Sequence, residues 1–253
     1  MTPRPPPEWT ILYHGPLSFK GRGEFLRLML EDAGVEYENS SDNLYGPTGV
    51  MDMFRGTPED VDQDVAPFPL LFPPAIWHRP AQGDEVIVNQ VAACLVYLGE
   101  NLGYAPKSAA ERARADCIML NALDYISEGR RSFHPVEDKM SYKDQKEEGD
   151  KASKEFSKKR MPIYLHHFNK VVKKSGSHKP VAGGDHVTYA DFALFHVLDA
   201  SVVQFNTEFY DMAWDKCEVP ALKEYYLWMK DRPNLERYFK SDRCPPFAGD
   251  SMM

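Results

Sequence analysis

The chain has 253 residues, of which 43% are hydrophobic and 27% are charged, and its net charge is −8. This length is enough for more than one domain with a sizeable core, and the acidic balance, without an extended basic patch, argues against nucleic-acid binding. No apolar run reaches the ~18 residues of a membrane-spanning helix, and the start MTPRPPPEW lacks the apolar segment of a signal peptide.

The four cysteines lie far apart in the sequence and include no CxxC pair. This spacing argues against a disulfide framework or a zinc site. Free thiols in a reducing cytosol are the simplest interpretation, so we expect a cytoplasmic protein that needs no metal.

The first hundred residues predict the order β-α-β-α-β-β-α, which is an α/β layer fold. The elements are indicated by β-forming residues and by apolar residues at helical spacing. They are strands at 9–14 and 35–39, a helix at 24–33, a possible short helix within 41–66, strands in FPLLFPPAIW and at 85–88, and a helix at 90–99.

From Ser108 onward the apolar spacing predicts helices only. Residues 189–200 are apolar nearly all round, which predicts a central buried helix. Thr188 and Asp191 have the spacing of a capping box at its start. The charged stretch from Ser132 to Lys154 predicts an exposed loop.

These patterns predict a division of the chain into four segments. They are a disordered Pro-rich lead-in over 1–8, an α/β domain over 9–104, a linker at 105–110 and an all-α domain over 111–253.

The segment LYHGPLSFKGR, residues 12–22, leaves the first strand and leads to the first helix. It contains three side chains capable of chemistry, Tyr13, His14 and Ser18. Strand alternation places His14 on the opposite face from Tyr13, which makes His14 the least favoured. A strand-end tyrosine also commonly serves packing, and a serine in such a turn commonly serves the turn itself.

Four segments occur in order along nearly the whole chain: GRGEFLRLMLEDAGVEYE, PPAI, GDEVIVNQVAACLVYLGENLGYAP and VTYADFALFHVLDA. Together they resemble the cytosolic glutathione transferases, and among these the Tyr-type, sigma-like enzymes of fungi and bacteria. The resemblance implies a thioredoxin-like N-terminal domain, an all-helical C-terminal domain, a homodimer, and glutathione as cosubstrate. It also implies that the helix around Ala115 to Tyr125 lies in the dimer interface and that Asp116 is a candidate contact with the partner's ligand.

The resemblance implies that a cis proline presents its neighbouring main chain to the cysteinyl residue of glutathione, like an added strand. Pro74 is the candidate, with Pro73 and Ala75 beside it, and Pro69 is the alternative.

A second contact is implied at Asn89-Gln90-Val91, where a helix start would hold the γ-glutamyl carboxylate. Relatives carry Ser or Thr after the Gln, whereas this chain has Val91, so one hydroxyl donor is absent. Asn89 is a candidate cap that would compensate.

The third implied contact is a donor to the glutathione thiolate. Tyr13 fits the Tyr-type pattern, and Ser18 fits a subgroup in which LYxxPxS precedes the first helix; both remain open, with Tyr13 preferred. The loop to Arg22 is two or three residues longer than in Tyr-type relatives. Arg22 would support the thiolate or bind the glycyl carboxylate, and His134 is expected to be structural.

The resemblance thus implies a glutathione transferase of detoxification that activates the thiol for attack on a small apolar electrophile. Two alternatives remain, a non-catalytic protein of the same fold and a glutathione-dependent isomerase. A thiol-disulfide reductase would need a cysteine between residues 13 and 22, and there is none. We expect no nucleic-acid or membrane partner.

Overall fold

The computed structural model describes residues 7–13, 19–39, 54, 68–138, 140–249 and 251–252. The N-terminal elements are β1 (Trp9–Leu12), α1 (Glu24–Ala33), β2 (Tyr37–Asn39), β3 (Ala75–His78), β4 (Val86–Asn89) and α2 (Val91–Leu102). The C-terminal elements are α3 (Ala109–Phe133), α4 (Lys146–Lys159), α5 (Met161–Ser175), α6 (Tyr189–Gln204), α7 (Pro220–Lys230) and α8 (Pro233–Phe239), with 3₁₀ helices at Tyr142–Gln145 and Trp214–Lys216. The short helix expected within 41–66 falls outside the described residues, apart from Phe54.

The strands of the described residues form one mixed sheet in the order β2-β1-β3-β4. Strand β1 pairs in parallel with β2, whereas β3 is antiparallel to both β1 and β4. In this register Leu12 lies opposite Ala75, and Ala75 lies opposite Asn89. The end of β1, the start of β3 and the end of β4 therefore meet at the same end of the sheet.

Helix α1 joins the two parts of the molecule. It packs against α2 on the sheet side and against α6 and α8 on the helical side. Nine of its ten residues are therefore buried, including the charged Glu24 and Arg27. The chain leaves the helix at Gly34, whose φ of 68° is a left-handed conformation that glycine adopts at little cost.

Helix α6 is the centre of the helical part, and the expected all-round burial is confirmed. Its capping box is also present, with the Thr188 N–H donating to the Asp191 carboxylate at 2.7 Å. That buried carboxylate accepts further from the Val181 N–H at 2.8 Å and the Tyr225 hydroxyl at 2.9 Å. Asp191 therefore links α6 to α7 through Tyr225. These hydrogen bonds also replace those to water that the carboxylate loses on burial.

The expectation of an exposed loop from Ser132 to Lys154 is wrong at both ends. Helix α3 continues to Phe133, and α4 begins at Lys146, with Ser153 and Phe156 buried on its inner face. Helix α3 also begins at Ala109, inside the segment predicted as a linker. No helix among the described residues is long and apolar enough to cross a bilayer.

Candidate active site

Tyr13 follows directly after β1 and is buried, with 6% of its surface exposed. Its hydroxyl oxygen accepts a hydrogen bond from the Arg22 backbone N–H at 2.9 Å. Burial raises the pKa of the Tyr13 phenol, and the Arg22 N–H and the Arg27 guanidinium act in the opposite direction. The phenol is therefore protonated at neutral pH.

The turn before α1 is shaped around the Tyr13 ring. Gly21 has a φ of +55°, and a Cβ atom there would lie 2.3 Å from the Tyr13 hydroxyl oxygen. A Cβ atom on Gly23 would lie 3.0 Å from the ring. Glycine at 21 therefore lets the backbone approach the hydroxyl closely enough for the Arg22 N–H to reach it.

Arg22 extends from this turn to the helical part of the molecule. Its guanidinium donates to the Ser127 hydroxyl on α3 at 3.0 Å, and that hydroxyl donates to the Leu123 carbonyl at 2.7 Å. Arg130, one turn further along α3, is close enough to lower the pKa of both Tyr13 and Arg22. The Tyr13 hydroxyl thus lies near the guanidinium groups of Arg22 and Arg130, where the two parts of the protein meet.

Lys20 anchors the other side of the same turn. Its buried ammonium donates to Asp199 on α6 at 3.0 Å and lies 3.5 Å from Glu24 on α1. Its backbone N–H donates to the Pro246 carbonyl at 2.8 Å. The buried Arg27 guanidinium pairs with Glu24 at 2.7 Å and donates to the Lys20 carbonyl. These contacts fix the backbone that leads to Arg22.

The predicted cis peptide bond is confirmed between Pro73 and Pro74, rather than before Pro69. The expectation that Asn89 caps α2 is wrong. Its side-chain amide donates to the Phe72 and Pro74 carbonyls and accepts from the Leu71 N–H at 3.2 Å. Asn89 therefore holds this loop in place, because its amide provides hydrogen-bond partners for three backbone groups of the loop.

Gln90, not Asn89, is the N-cap residue of α2. Its φ of 75° is positive, which is uncommon for a residue with a side chain. Such strained positions concentrate where a backbone group must face a ligand. Gln90 is exposed, whereas Val91 is 5% exposed and packs into the core. The α2 start is thus exposed to solvent at Gln90 and closed at Val91.

The predicted site residues come together through the sheet register. Tyr13 is one residue beyond the Leu12–Ala75 pair, and Asn89 lies opposite Ala75 on the other side. Neighbouring strands are about 4.8 Å apart, so Tyr13 and the α2 start are separated by roughly 10 Å across β3. An extended tripeptide has about this length. Ser18 and His14 lie outside the described residues.

Sequence reasoning missed the contribution of α3 to this site. Ser127 and Arg130 lie more than 100 positions from Arg22, and no local motif marks either of them. Lys20 was missed as well, because nothing in the sequence around a lysine beside a glycine turn indicates that it is buried. His134, expected to be structural, lies within hydrogen-bond distance of the Met140 carbonyl, with Nδ1 at 3.0 Å.

The family model described as "Glutathione S-transferase, C-terminal domain" matches residues 131–242. Glutathione S-transferase 1 of Ascaris suum is 26% identical over 243 residues, which cover 95% of this chain and 100% of that relative. Glutathione S-transferase 2 of Onchocerca volvulus is 31% identical over 116 residues, which cover 46% of this chain and 50% of that relative.

Among solved structures, the sigma class glutathione S-transferase of Fasciola hepatica superposes with a TM-score of 0.66 at 20% identity, covering 92% of this chain and 96% of that chain. The fold is that of the cytosolic glutathione transferases. A thioredoxin-like domain with a mixed sheet is followed by an all-helical domain, as the sequence predicts. These relatives come from nematodes and a fluke, so they do not confirm the fungal or bacterial subgroup.

Proposed function

We propose that this protein is a glutathione transferase that activates the thiol of glutathione for attack on a small apolar electrophile. The observation that carries the proposal is the sheet register, which places Tyr13, the Pro74–Ala75 main chain and the α2 start at Gln90 along one end of the sheet. Homologues named glutathione S-transferase support the same activity.

In this proposal Tyr13 donates a hydrogen bond to the sulfur of glutathione and keeps its proton, while the proton of the thiol is released to solvent. A free thiol titrates near pH 8.5, and lowering its pKa by two units requires about 2.7 kcal/mol of preferential stabilisation of the thiolate. A hydroxyl donor and the positive end of α1 together supply energy of this order. Arg22, held against Ser127, adds positive charge on the same side. The thiolate then attacks the electrophilic carbon, whose leaving group departs with the bonding electrons. No metal takes part.

The γ-glutamyl carboxylate would lie at the start of α2. The first N–H groups of a helix have no partner within the helix and favour an anion. Gln90 presents this end to solvent, and the missing hydroxyl at Val91 removes one donor, so we expect weaker glutathione binding than a Ser or Thr would give.

Two measurements test the proposal together. The protein should be retained on glutathione resin and released by free glutathione, and it should accelerate conjugation of 1-chloro-2,4-dinitrobenzene with glutathione. Retention without acceleration would reject the transferase activity with that acceptor and favour the binding-only alternative. Val91 and the longer loop before Arg22 are the observations that favour this alternative. Failure of both measurements would reject glutathione as the ligand.

The proposal extends to a glutathione-dependent isomerase if an isomerisable substrate occupies the same cleft. Assay of a maleyl-type double-bond isomerisation in the presence of glutathione separates this case from conjugation, because no glutathione is consumed.

We further propose a cytoplasmic homodimer of the sigma-like, Tyr-type subgroup. The position of Tyr13 and the GRGEF segment support the subgroup. Phe68, Leu71 and Phe72 are each more than 60% exposed on the loop before β3, which is consistent with burial by a second copy. Asp116 accepts from the Tyr189 hydroxyl within the chain at 2.5 Å, so its expected contact with the partner's ligand would require a second bond. Light scattering at micromolar concentration that gave the monomer mass of 28.9 kDa would contradict the dimer.

A further inference from the structure

A cavity of about 420 Å³ opens at the C-terminal end of α3, away from Tyr13. It is enclosed by the ends of α3 and α6, the first two turns of α4, the loop after α6, and Gly249 of the C-terminal segment. Small-molecule sites commonly have volumes of about 300–1,000 Å³. The size of this cavity is therefore that of a small-ligand site.

Gln204, the last residue of α6, lines this cavity and is 6% exposed. Its side-chain nitrogen Nε2 is buried and has no hydrogen-bond partner among the described residues. A buried amide without a partner destabilises the protein, and most such groups are paired. A half-turn about the last side-chain bond exchanges nitrogen and oxygen, so the amide can offer its donor to an acceptor atom in the cavity.

The α4 wall of the cavity is positively charged. Lys146 and Lys154 both line it, eight residues apart on one face of the helix. The carboxylate of Asp150 between them forms an ion pair with Lys146 at 2.5 Å and accepts a hydrogen bond from the Tyr142 hydroxyl. Lys154 has no carboxylate within 4.0 Å among the described residues, but its charge contributes to lowering the pKa of Asp150 and Asp211, so a ligand anion would share this charge with them.

The remaining walls are aromatic. Phe133 and Tyr142 lie with their ring centroids 6.0 Å apart, and Tyr210 completes this part of the lining. Phe209 is 64% exposed at the mouth of the cavity, which is unusual for a ring of this size. The cavity thus offers apolar contact for a flat ring, a hydrogen-bond donor on one wall and positive charge on another.

The cavity is separate from the cleft at Tyr13. The cavity lining includes none of Tyr13, Arg22, Ser127 and Arg130. Phe133 lies one turn beyond Arg130 and about 9 Å beyond Ser127 along α3. Between them the Met252 side chain packs against Gly129, where even a Cβ atom would collide with it. The C-terminal segment therefore forms a partition between the two sites.

We propose that this cavity binds a small aromatic carboxylate with a carbonyl group in its chain, of the aroyl-amino acid type. The ring lies among Phe133, Tyr142 and Phe209, and the carbonyl accepts from the Gln204 amide. The carboxylate pairs with Lys154 on α4. The site does not depend on glutathione.

Calorimetry with two probes tests the assignment of each wall. Hippurate has the ring, an amide and the carboxylate, whereas 4-phenylbutyrate keeps the ring, the chain length and the carboxylate but lacks the amide carbonyl and its N–H. Gln204→Leu should lower the affinity for hippurate by about 3- to 10-fold, because one hydrogen bond is lost, and should leave the affinity for 4-phenylbutyrate unchanged. Lys154→Gln should lower the affinity for both probes. Lys151→Gln changes an exposed lysine of α4 that does not line the cavity, so it is the matched control and should change the affinity for neither probe.

The thermal midpoint of the unliganded Gln204→Leu protein should not fall, because the substitution removes a buried donor without a partner. If that variant does not fold, Gln204→Glu keeps the size of the side chain and should weaken both probes by charge repulsion. The proposal is overturned if hippurate does not bind at millimolar concentration, or if Gln204 and Lys154 substitutions leave its affinity unchanged. Displacement of hippurate by S-methylglutathione would also overturn it, because the probe would then occupy the Tyr13 cleft.

Discussion

Replacing Tyr13 by Phe is the most direct test of the site. The ring is 6% exposed and packs beneath the Gly21 turn, so Phe keeps the packing and removes only the hydroxyl. The Arg22 N–H then loses its acceptor at 2.9 Å. A hydrogen bond of this kind contributes about 0.5–1.5 kcal/mol to stability, so we expect the variant to fold with a loss in that range.

The catalytic loss should be larger than the loss of stability. Removing one donor to a developing anion costs about 2.7–4 kcal/mol at most, but here α1 and Arg22 continue to act. We therefore expect the pKa of the bound thiol to rise by roughly one to two units, which corresponds to about 1.4–2.7 kcal/mol. Turnover at neutral pH should fall by ten- to a hundredfold with little change in glutathione affinity, since the lost contact is made mainly to the thiolate.

The thiolate absorbance of bound glutathione, titrated against pH, measures this shift. Tyr97→Phe is a matched control, because it also removes a hydroxyl paired at 2.8 Å, here with His78, at a distance from the site. An unchanged thiol pKa in Tyr13→Phe would refute the reasoning. A raised pKa in Ser18→Ala instead would transfer the donor role to Ser18.

Three further predictions concern backbone, affinity and pH. Gly21→Ala should abolish the thiolate band, because its Cβ atom would collide with Tyr13. The control Gly103→Ala also places alanine at a positive φ, +83°, but in open space, so its free energy of unfolding should fall by only roughly 1–2 kcal/mol. Equal losses of unfolding free energy in urea for the two variants would show that the protein relieves the clash with Tyr13. Val91→Thr keeps the buried shape and restores a hydroxyl, so glutathione should bind about 3- to 10-fold more tightly by calorimetry, and unchanged affinity would misplace the γ-glutamyl seat. Burial lowers the pKa of His196 from 6.5 to about 3, so below pH 6.5 the unfolded chain binds a proton that the native state refuses, and stability should fall by up to about 1.4 kcal/mol per pH unit as the pH decreases. His196→Leu should flatten this part of the urea-unfolding profile, and an unchanged slope would mean that His196 does not contribute to it.

The sequence predicts the order of elements well where local patterns are strong. Helix α6 follows directly from the apolar stretch at 189–200 and the Thr188–Asp191 spacing. Both its burial and its capping depend on residues that are close together in the sequence. Helix α4 was missed because KEEGDKASKEFSKK has few apolar residues, and only Phe156 among them packs inward as a large group.

The site was predictable only in part, for a physical reason. The cis bond at Pro74 follows from a short segment that resembles a known family, and the role of Tyr13 stays a prediction from another such segment. The role of Asn89 was wrong because its amide satisfies a loop that is distant in sequence. The contact of Arg22 with Ser127 likewise depends on how two domains pack, which neither segment encodes alone.

The anchoring of Lys20 has a consequence for the order in which parts of a newly made chain reach their final structure. The turn that carries Arg22 is held by Asp199 and by the carbonyl of Pro246, both of which are synthesised long after the sheet. A ribosome-bound chain whose sheet has already formed therefore lacks two of the restraints on this turn. The turn acquires its final geometry only after Pro246 has been synthesised.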